Sequence, residues 1–215
     1  MKQFIVIGLG RFGSSVAQEL CRLGHEVLAV DSDMERVEEL AELVTHAVCC
    51  DAADEDQLRA LEPANFDAAV VAIGTNLEAS ILVTMMLKEM GVKNVLVKAA
   101  SEMNARVLQK VGADQVVLPE YDMGVRIARG MASASIMEYI ELSPEYSLAE
   151  IKTPTDWEGH TLSDLRLRAR HGVNVVAIRK PDGSISVTPQ ADDVLQPNDV
   201  LVVIGANRDI EKVQR

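Results

Sequence analysis

Residues 4–31 carry the pattern that most constrains how this chain can fold. An apolar, β-branched run, FIVI, is followed by Gly8, Gly10 and Gly13 in GxGxxG spacing and then by a helical pattern. A second apolar run, VLAV, ends at Asp31. A strand, glycine turn, helix, strand and terminal acid within about 30 residues predict a βαβ unit that binds a nucleotide. A glycine turn with a purely structural role is the alternative, and this full context favours nucleotide binding.

Each glycine of the motif has a separate predicted role. Gly8 permits the tight turn out of the strand, and Gly10 lets backbone N–H groups approach a phosphate. Gly13 lets the helix pack closely against the strand, and the N-terminus of that helix offers a partial positive charge to an anion. Asp31 is placed to accept both hydroxyls of a ribose.

Strand and helix patterns alternate along the rest of the first half of the chain. This alternation predicts an α/β fold with right-handed crossovers: a Rossmann-like, doubly wound, parallel six-stranded sheet in the order 3-2-1-4-5-6, with the ligand beside the first strand. The further strands are predicted at 47–50, 68–73, 95–97 and 116–118, and the helices at 34–43, 54–61, 77–90 and 102–111.

The next predicted helix, 122–137, is surplus to the completed sheet. It carries Met123, Ile127 and Met131 beside small residues at helical spacing. It either lies on its own sheet or also contacts a second subunit, and we favour the second, since an apolar stripe must be covered.

The chain is predicted to have two domains. We predict an N-terminal nucleotide-binding domain at 1–138, including this crossover helix. A smaller α+β domain at 139–215 has short strands and a helix at 162–169.

Polar side chains stand at the predicted strand ends that face the nucleotide. Arg11 could reach a terminal phosphate, Lys98 could neutralise phosphate, and Asn76 could touch ribose or phosphate. Asp33 or Asp51 could border the adenine and Glu120 could bind a cation, although capping a helix is an equal alternative for these three acids. The candidate nucleotide contacts are Gly8, Gly10, Arg11, Phe12, Gly13, Asp31, Ser32, Asp33, Asp51, Ala52, Ile73, Gly74, Asn76, Lys98 and Glu120.

Composition and hydropathy argue against several classes of protein. The formal net charge of −12 disfavours a nucleic-acid partner, which usually meets a basic face. No apolar run approaches the ~20 residues that span a bilayer, and the N-terminus does not resemble a signal peptide. The three cysteines, Cys21, Cys49 and Cys50, lie in apolar surroundings and are expected in the core of a cytoplasmic protein.

Catalytic patterns are missing from the sequence. The glycine loop is not GxxxxGK[ST], no Tyr-x-x-x-Lys pair occurs, and the four histidines are scattered. We therefore expect a nucleotide sensor and no enzyme activity. A small NAD(P)-dependent oxidoreductase that uses the same glycine loop and Asp31 is the alternative.

The strand-end segments together resemble those of the RCK (also called KTN) proteins, most closely the cytoplasmic gating subunits of the KtrA/KtrC and TrkA type. The resemblance covers essentially the whole chain. One departure is Cys50, where many members have glycine. The segments are GLGRFGSSVAQEL, AVDSD, CDAADEDQL, AIGTNLEAS, VKA and LPEYDMG.

The resemblance implies a function. Such proteins form homo-oligomeric rings, commonly octamers built from dimers. They dock on a membrane-embedded potassium-translocating partner of the KtrB/TrkH type, at the inner face of the membrane. They bind ATP, ADP or sometimes NAD(H), and the nucleotide changes the shape of the ring. By the same resemblance Asp31 holds the ribose, Arg11 meets the terminal phosphates, and Glu120 helps to bind a divalent cation such as Mg²⁺.

The second domain resembles the RCK C-terminal domain, which binds cyclic di-AMP between two subunits in some members. The pattern matches at Leu162, Arg168, Asn174, Val175, Val176, Lys180 and Pro189. The effector residues expected from it are Arg168, Asn174, Val175, Val176 and Pro189. Ser163 stands where an apolar residue is usual, and Arg166 where an Asp or Asn is usual. A plain strand with a polar start remains an equal reading of residues 174–178.

Overall fold

The computed structural model describes residues 1–74, 76–132 and 136–213. By compactness the chain divides into two units, Met1–Asp122 and Met123–Arg215. The domain boundary expected at 138/139 stays a prediction. The division by compactness falls inside a helix, and a helix interior does not define a boundary between domains.

The first unit is built on a parallel sheet of six strands in the order β3-β2-β1-β4-β5-β6, which confirms the prediction. The strands are β1 (Gln3–Ile7), β2 (Glu26–Asp31), β3 (His46–Cys49), β4 (Ala68–Val71), β5 (Val95–Lys98) and β6 (Gln115–Val117). The helices between them are α1 (Arg11–Arg22), α2 (Met34–Leu40), α3 (Glu55–Ala60), α4 (Leu77–Glu89) and α5 (Glu102–Lys110), with a 3₁₀ turn at Pro63–Asn65.

Both faces of this sheet are covered, as a run of consecutive apolar residues in β1 requires. Ile5 and Ile7 enter the apolar cluster on one face, and Val6 between them enters the cluster on the other. All three side chains are buried. Alternation along the strand thus sends successive residues into two separate cores, which is the arrangement of a doubly wound sheet.

The second unit contains an antiparallel sheet of five strands in the order β10-β9-β11-β8-β7, so the predicted α+β class is also confirmed. Its core includes Ile151, Trp157, Leu195 and Leu201. Its elements are β7 (Ile136–Glu141), β8 (Tyr146–Lys152), a 3₁₀ turn at Thr155–Trp157, α7 (Leu162–Leu165), α8 (Leu167–His171), β9 (Val173–Arg179), β10 (Ile185–Ser186), β11 (Val200–Ala206) and α9 (Asn207–Lys212).

The helix predicted at 122–137 is displaced in the structure. Helix α6 covers Pro119–Ala132, and Ile136 already belongs to β7, where it pairs with Ile151. The prediction was wrong at both ends. Proline suits the first helical position, because it has no N–H to lose there, and β-branched Ile136 gains a strand partner that helical spacing could not reveal.

Two smaller expectations also need correction. The helix expected at 162–169 is broken into α7 and α8 at Arg166, whose φ of +47° is left-handed. Of the cysteines expected in the core, Cys50 is buried and Cys21 is half-buried, but Cys49 is exposed. Burial raises the pKa of the Cys50 thiol.

Candidate functional site

The glycine loop between β1 and α1 is held by close backbone packing at two of its three glycines. Gly8 has a φ of +94°, and a Cβ there would lie 2.7 Å from the Ala72 backbone. A Cβ on Gly13 would lie only 1.8 Å from the carbonyl oxygen of Gly8. Around Gly10, in contrast, no atom lies within 4 Å of the position of a Cβ. Gly8 and Gly13 are therefore required by packing, and Gly10 leaves open space beside the loop.

Helix α1 begins without a side-chain cap. Its N-cap is Gly10, whereas α2, α3, α4 and α5 are each capped by a side-chain oxygen of Asp33, Asp54, Asn76 and Ser101. The first N–H groups of a helix need partners, and together with the helix dipole they favour an anion. The N-terminus of α1 thus has the features of a phosphate site.

Asp31 stands at the end of β2 and is 8% exposed. Its two oxygens accept hydrogen bonds from backbone N–H groups, Oδ2 from Leu9 at 2.6 Å and Oδ1 from Asp33 at 2.9 Å. A carboxylate has about four acceptor positions, so each oxygen keeps one for another donor. The orientation of Asp31 is therefore set by the backbone, and two acceptors remain, which matches the two hydroxyls of a ribose.

A cleft of about 640 Å³ opens between these features at the carboxyl ends of the strands. Its size is within the range of small-molecule sites. Of the predicted contacts, thirteen line it: Gly8, Gly10, Arg11, Phe12, Asp31, Ser32, Asp51, Ala52, Ile73, Gly74, Asn76, Lys98 and Glu120. The other two, Gly13 and Asp33, are outside the lining, because Gly13 packs against Gly8 and Asp33 caps α2.

At one end of the cleft Lys98 and Glu120 form an ion pair. The Lys98 Nζ atom lies 2.6 Å from Glu120 Oε1 and 5.9 Å from the centroid of the Phe12 ring. The Lys98 ammonium donates to Glu120 and holds the pKa of that carboxyl below its usual range, and the charge of Arg11 lowers it further. Arg11 is the first residue of α1 and also lines the cleft. Two cations therefore stand beside the helix N-terminus, where phosphates would lie.

The acids that could either cap a helix or contact the ligand differ in what they do in the structure. Asp33 caps α2 through Glu35 N–H, while Asn76 caps α4 and still lines the cleft. The Asp51 carboxylate accepts from Ala53 N–H at 3.0 Å and lines the cleft, and the cap of α3 is Asp54. Glu120 lies in the first turn of α6, paired with Lys98.

The sequence reasoning missed Arg36, which lines the cleft near Asp31. Its Nη1 atom lies 3.5 Å from Asp31 Oδ2, and its Nε atom lies 3.4 Å from Asp33 Oδ2. One signal could have revealed it. A cation in the first turn of a helix is opposed by the helix dipole, so an arginine there needs a nearby carboxylate or anion.

The predicted effector residues of the second unit lie on α8, on β9 and in the loop before β11. Arg168, Asn174 and Val176 are exposed, and Val175 packs against the core. Over the described chain β10 pairs only with Ile178 and Arg179, so the same edge of β9 at Asn174–Val176 has no strand partner. Pro189 is half-buried. Whether these residues form an effector site stays a prediction.

Within residues 1–74, 76–132 and 136–213, no three His, Cys, Asp or Glu side chains are grouped to hold a metal ion. A cation at Glu120 would therefore need phosphate oxygens as its other ligands, a mode that Mg²⁺ commonly uses. In the same residues no helix is long and apolar enough to cross a membrane.

Comparisons with known proteins agree with this geometry. Residues 4–119 match the TrkA-N domain, and residues 147–215 match the TrkA-C domain. The chain is 43% identical to the Ktr system potassium uptake protein A of Bacillus subtilis, covering 99% of this chain and 96% of that protein. It is 45% identical to the Ktr system potassium uptake protein C of the same organism, covering 100% and 96%.

Among solved structures, the GsuK RCK domain has a TM-score of 0.68 at 18% identity, over 99% of this chain and 47% of that one. The GsuK channel bound to NAD has a TM-score of 0.67 at 17% identity, over 99% of this chain and 38% of that one. This chain thus spans less than half of those two, and at such identities the likeness concerns the fold alone. From the domain matches and the full-length identities, the chain belongs to the family of TrkA-N and TrkA-C domain proteins that includes the Ktr potassium uptake proteins.

Proposed function

We propose that this protein is a nucleotide-binding regulatory subunit of a potassium uptake system. It binds ATP and ADP in the cleft at Asp31 and controls a membrane-embedded, potassium-translocating partner of the KtrB/TrkH type. The observation that carries the proposal is the cleft itself, with an uncapped helix N-terminus at one end and two free carboxylate acceptors at the other. The full-length relatives, which are named potassium uptake proteins, supply the physiological context.

The cleft has two chemically distinct ends. Asp31, Ser32, Asp51 and Ala52 line the end that suits the adenosine, with Asp31 accepting from the ribose hydroxyls. The glycine loop, the first turn of α1, Arg11 and Lys98 line the end that suits the phosphates, through backbone N–H groups and two cations. NAD(H) fits the same division and is the alternative nucleotide, as a channel with this fold is described with NAD bound.

The contacts that distinguish ATP from ADP would lie at Arg11, Lys98 and Glu120. Lys98 is already paired with Glu120 at 2.6 Å, so at the phosphate end of the cleft Arg11 is the described cation available to meet a γ-phosphate. A γ-phosphate would also bring negative charge towards Glu120, which a divalent cation such as Mg²⁺ could bridge. Differential contact with the γ-phosphate is what allows one nucleotide to favour one conformation.

Self-association would run through α6. Met123, Ile127 and Met131 recur at helical spacing on this helix, and each is at least half exposed. Small residues, Gly124 and Ala128, lie beside them and permit close approach of another helix. We infer a homo-oligomer that uses this stripe, with an octameric ring as the form that the family implies. Such a ring would be cytoplasmic and lie at the inner face of the membrane, bound to its partner.

The second unit would carry an additional effector site for cyclic di-AMP at Arg168, Asn174, Val175, Val176 and Pro189. What supports it is the exposure of Asn174 and Val176 on a strand edge without a partner in the described residues. The oxidoreductase alternative is not favoured, since the relatives that match the whole chain are potassium uptake proteins.

Arg11→Ala tests the proposed sensing of the γ-phosphate. We expect the wild type to bind ATP and ADP with different affinities and with different oligomer shapes, without turnover. The variant should bind the two nucleotides alike, because the guanidinium that reaches the γ-phosphate is gone. Calorimetry and small-angle scattering measure the two effects. A variant that still separates ATP from ADP, or a wild type that oxidises or reduces a substrate with NAD(P)(H), would refute the proposal.

A further inference from the structure

Arg36 has no role in the nucleotide site described so far, yet it is the cation at the ribose end. The cations that line the cleft in the described residues are Arg11, Arg36 and Lys98. Arg11 and Lys98 stand at the phosphate end with Phe12 and Glu120. Arg36 stands at the other end, between Asp31 and Asp33.

Arg36 offsets the negative charge of Asp31 without taking up its hydrogen-bond acceptor positions. Its distances of 3.5 Å to Asp31 Oδ2 and 3.4 Å to Asp33 Oδ2 are those of ion pairs, longer than the ~2.7–2.9 Å of a charge-assisted hydrogen bond. The acceptor positions of Asp31 therefore stay available to a ribose. The side chain of Arg36 is 51% exposed, so its planar fork retains donors that face solvent.

The position of Arg36 bears on the 2′ substituent of the ribose. Asp31 alone favours a free 2′-hydroxyl. It repels a 2′-phosphate, because the carboxylate and the phosphate are both anions. In dinucleotide-binding folds an acid at this position binds a free 2′-hydroxyl, or an arginine nearby accommodates a 2′-phosphate, and this site carries both residue types. Here the guanidinium lies 3.5 Å from Oδ2 of Asp31, one of the two oxygens proposed to accept the ribose hydroxyls, so a phosphate on the 2′-hydroxyl would come near it.

We propose that Arg36 is a specificity residue that lets this site accept adenosine nucleotides with a 2′-phosphate, the NADP(H) class, as well as those with a free 2′-hydroxyl. This inference rests on the nucleotide site proposed above. In this arrangement Asp31 accepts a hydrogen bond from a free 2′-hydroxyl, and Arg36 offsets the repulsion between Asp31 and a 2′-phosphate.

The test compares two probes that differ only at the 2′ position, adenosine 5′-monophosphate and adenosine 2′,5′-bisphosphate. Calorimetry gives the affinity of each for the wild type and for Arg36→Gln. We expect the variant to lose at least about tenfold in affinity for the bisphosphate relative to the monophosphate, the effect of one charge-assisted hydrogen bond. Arg36→Lys, which keeps the charge without the fork, should fall between the two.

Two controls separate this effect from general ones. Arg59→Gln removes another exposed arginine, which pairs with Glu55 on α3 outside the lining of the cleft, and should leave both affinities unchanged. Arg11→Gln should leave the ratio of the two affinities unchanged, because Arg11 stands at the phosphate end, away from the 2′ position.

The outcomes distinguish the two proposals. Equal losses for both probes in Arg36→Gln, or a wild type that binds the monophosphate and excludes the bisphosphate, would overturn the role of Arg36 and leave the nucleotide site standing. A wild type that binds neither probe nor ADP would overturn both.

Discussion

The glycine loop offers a matched pair of substitutions, Gly10→Ala and Gly13→Ala, that should have opposite effects. Both add one methyl group to the same loop. At Gly13 the new Cβ would lie 1.8 Å from the Gly8 carbonyl oxygen and 3.2 Å from the Ala72 Cβ. At Gly10 it would meet nothing within 4 Å, and the Gly10 φ of −66° suits any residue.

Gly13→Ala should destabilise the first unit. Ordinary van der Waals contact begins near 3.4 Å, so the Gly8 carbonyl would have to move by more than an ångström. That carbonyl is backbone in a half-buried turn, and overpacking of this kind costs about 1–3 kcal/mol, occasionally more. For a chain of this length we expect a fall in melting temperature of roughly 2–12 °C.

Gly10→Ala should leave stability unchanged or raise it by about 0.4–1 kcal/mol, since alanine restricts the unfolded chain. Its methyl group would nevertheless project beside the loop where backbone N–H groups meet a phosphate. We expect ADP affinity to fall by at least about tenfold, or 1.4 kcal/mol.

Calorimetry measures both quantities, unfolding by scanning and ADP binding by titration. Tryptophan fluorescence would be misleading, because the single tryptophan, Trp157, belongs to the second unit. A stable Gly13→Ala variant would contradict the packing of the loop. A Gly10→Ala variant that binds ADP as well as the wild type does would contradict the placement of the phosphates.

Three further predictions concern stability and assembly. Arg166→Asn should raise the free energy of unfolding by about 1 kcal/mol in denaturant titration, because asparagine tolerates the left-handed φ of +47° better than arginine does; an unchanged or lower value would show that Arg166 is not strained. Ala128→Glu, on the exposed apolar stripe of α6, should reduce the oligomer mass in light scattering, whereas Gln18→Glu on the exposed face of α1 should not; equal masses for both variants would exclude this interface. The Lys88 ammonium, which donates to Asp114, holds the pKa of that carboxyl below its usual range. The ionised Asp114 therefore stabilises the fold above about pH 4, and this contribution is lost as the pH falls through the lowered pKa. Asp114→Asn should accordingly lose less melting temperature than the wild type as the pH falls below about 4, and an unaltered pH profile would show that Asp114 does not contribute to the acid sensitivity.

Much of the first unit could be predicted because its signals are local. The β1 run, the three glycines and Asp31 lie within one βαβ unit, and each has a conformational or chemical requirement that only a few residue types satisfy. The strand order follows from the rules for right-handed crossovers. The strand-end residues that line the cleft followed from this topology alone.

What the sequence could not reveal depends on contacts between distant segments. The Lys98–Glu120 ion pair joins residues 22 positions apart, and neither residue type indicates the other. The start of β7 is set by the pairing of Ile136 with Ile151, which competes with a helical pattern in the same residues. Arg36 carried a signal, a cation in the first turn of α2, but its contact with Asp31 becomes visible only in the folded structure. The break at Arg166 was missed because arginine has no preference for a left-handed φ.

Potassium flux tests the central claim most directly. Proteoliposomes that contain a membrane partner of the KtrB/TrkH type would be assayed with this protein and either ATP or ADP, using the wild type and Gly10→Ala. At nucleotide concentrations that occupy the wild-type site but leave the weakened site of Gly10→Ala largely empty, we predict that flux with the wild type differs between ATP and ADP and that flux with Gly10→Ala is the same for both nucleotides. Equal flux with both nucleotides for the wild type would contradict the account, as would a Gly10→Ala variant that binds no nucleotide and still responds to ATP.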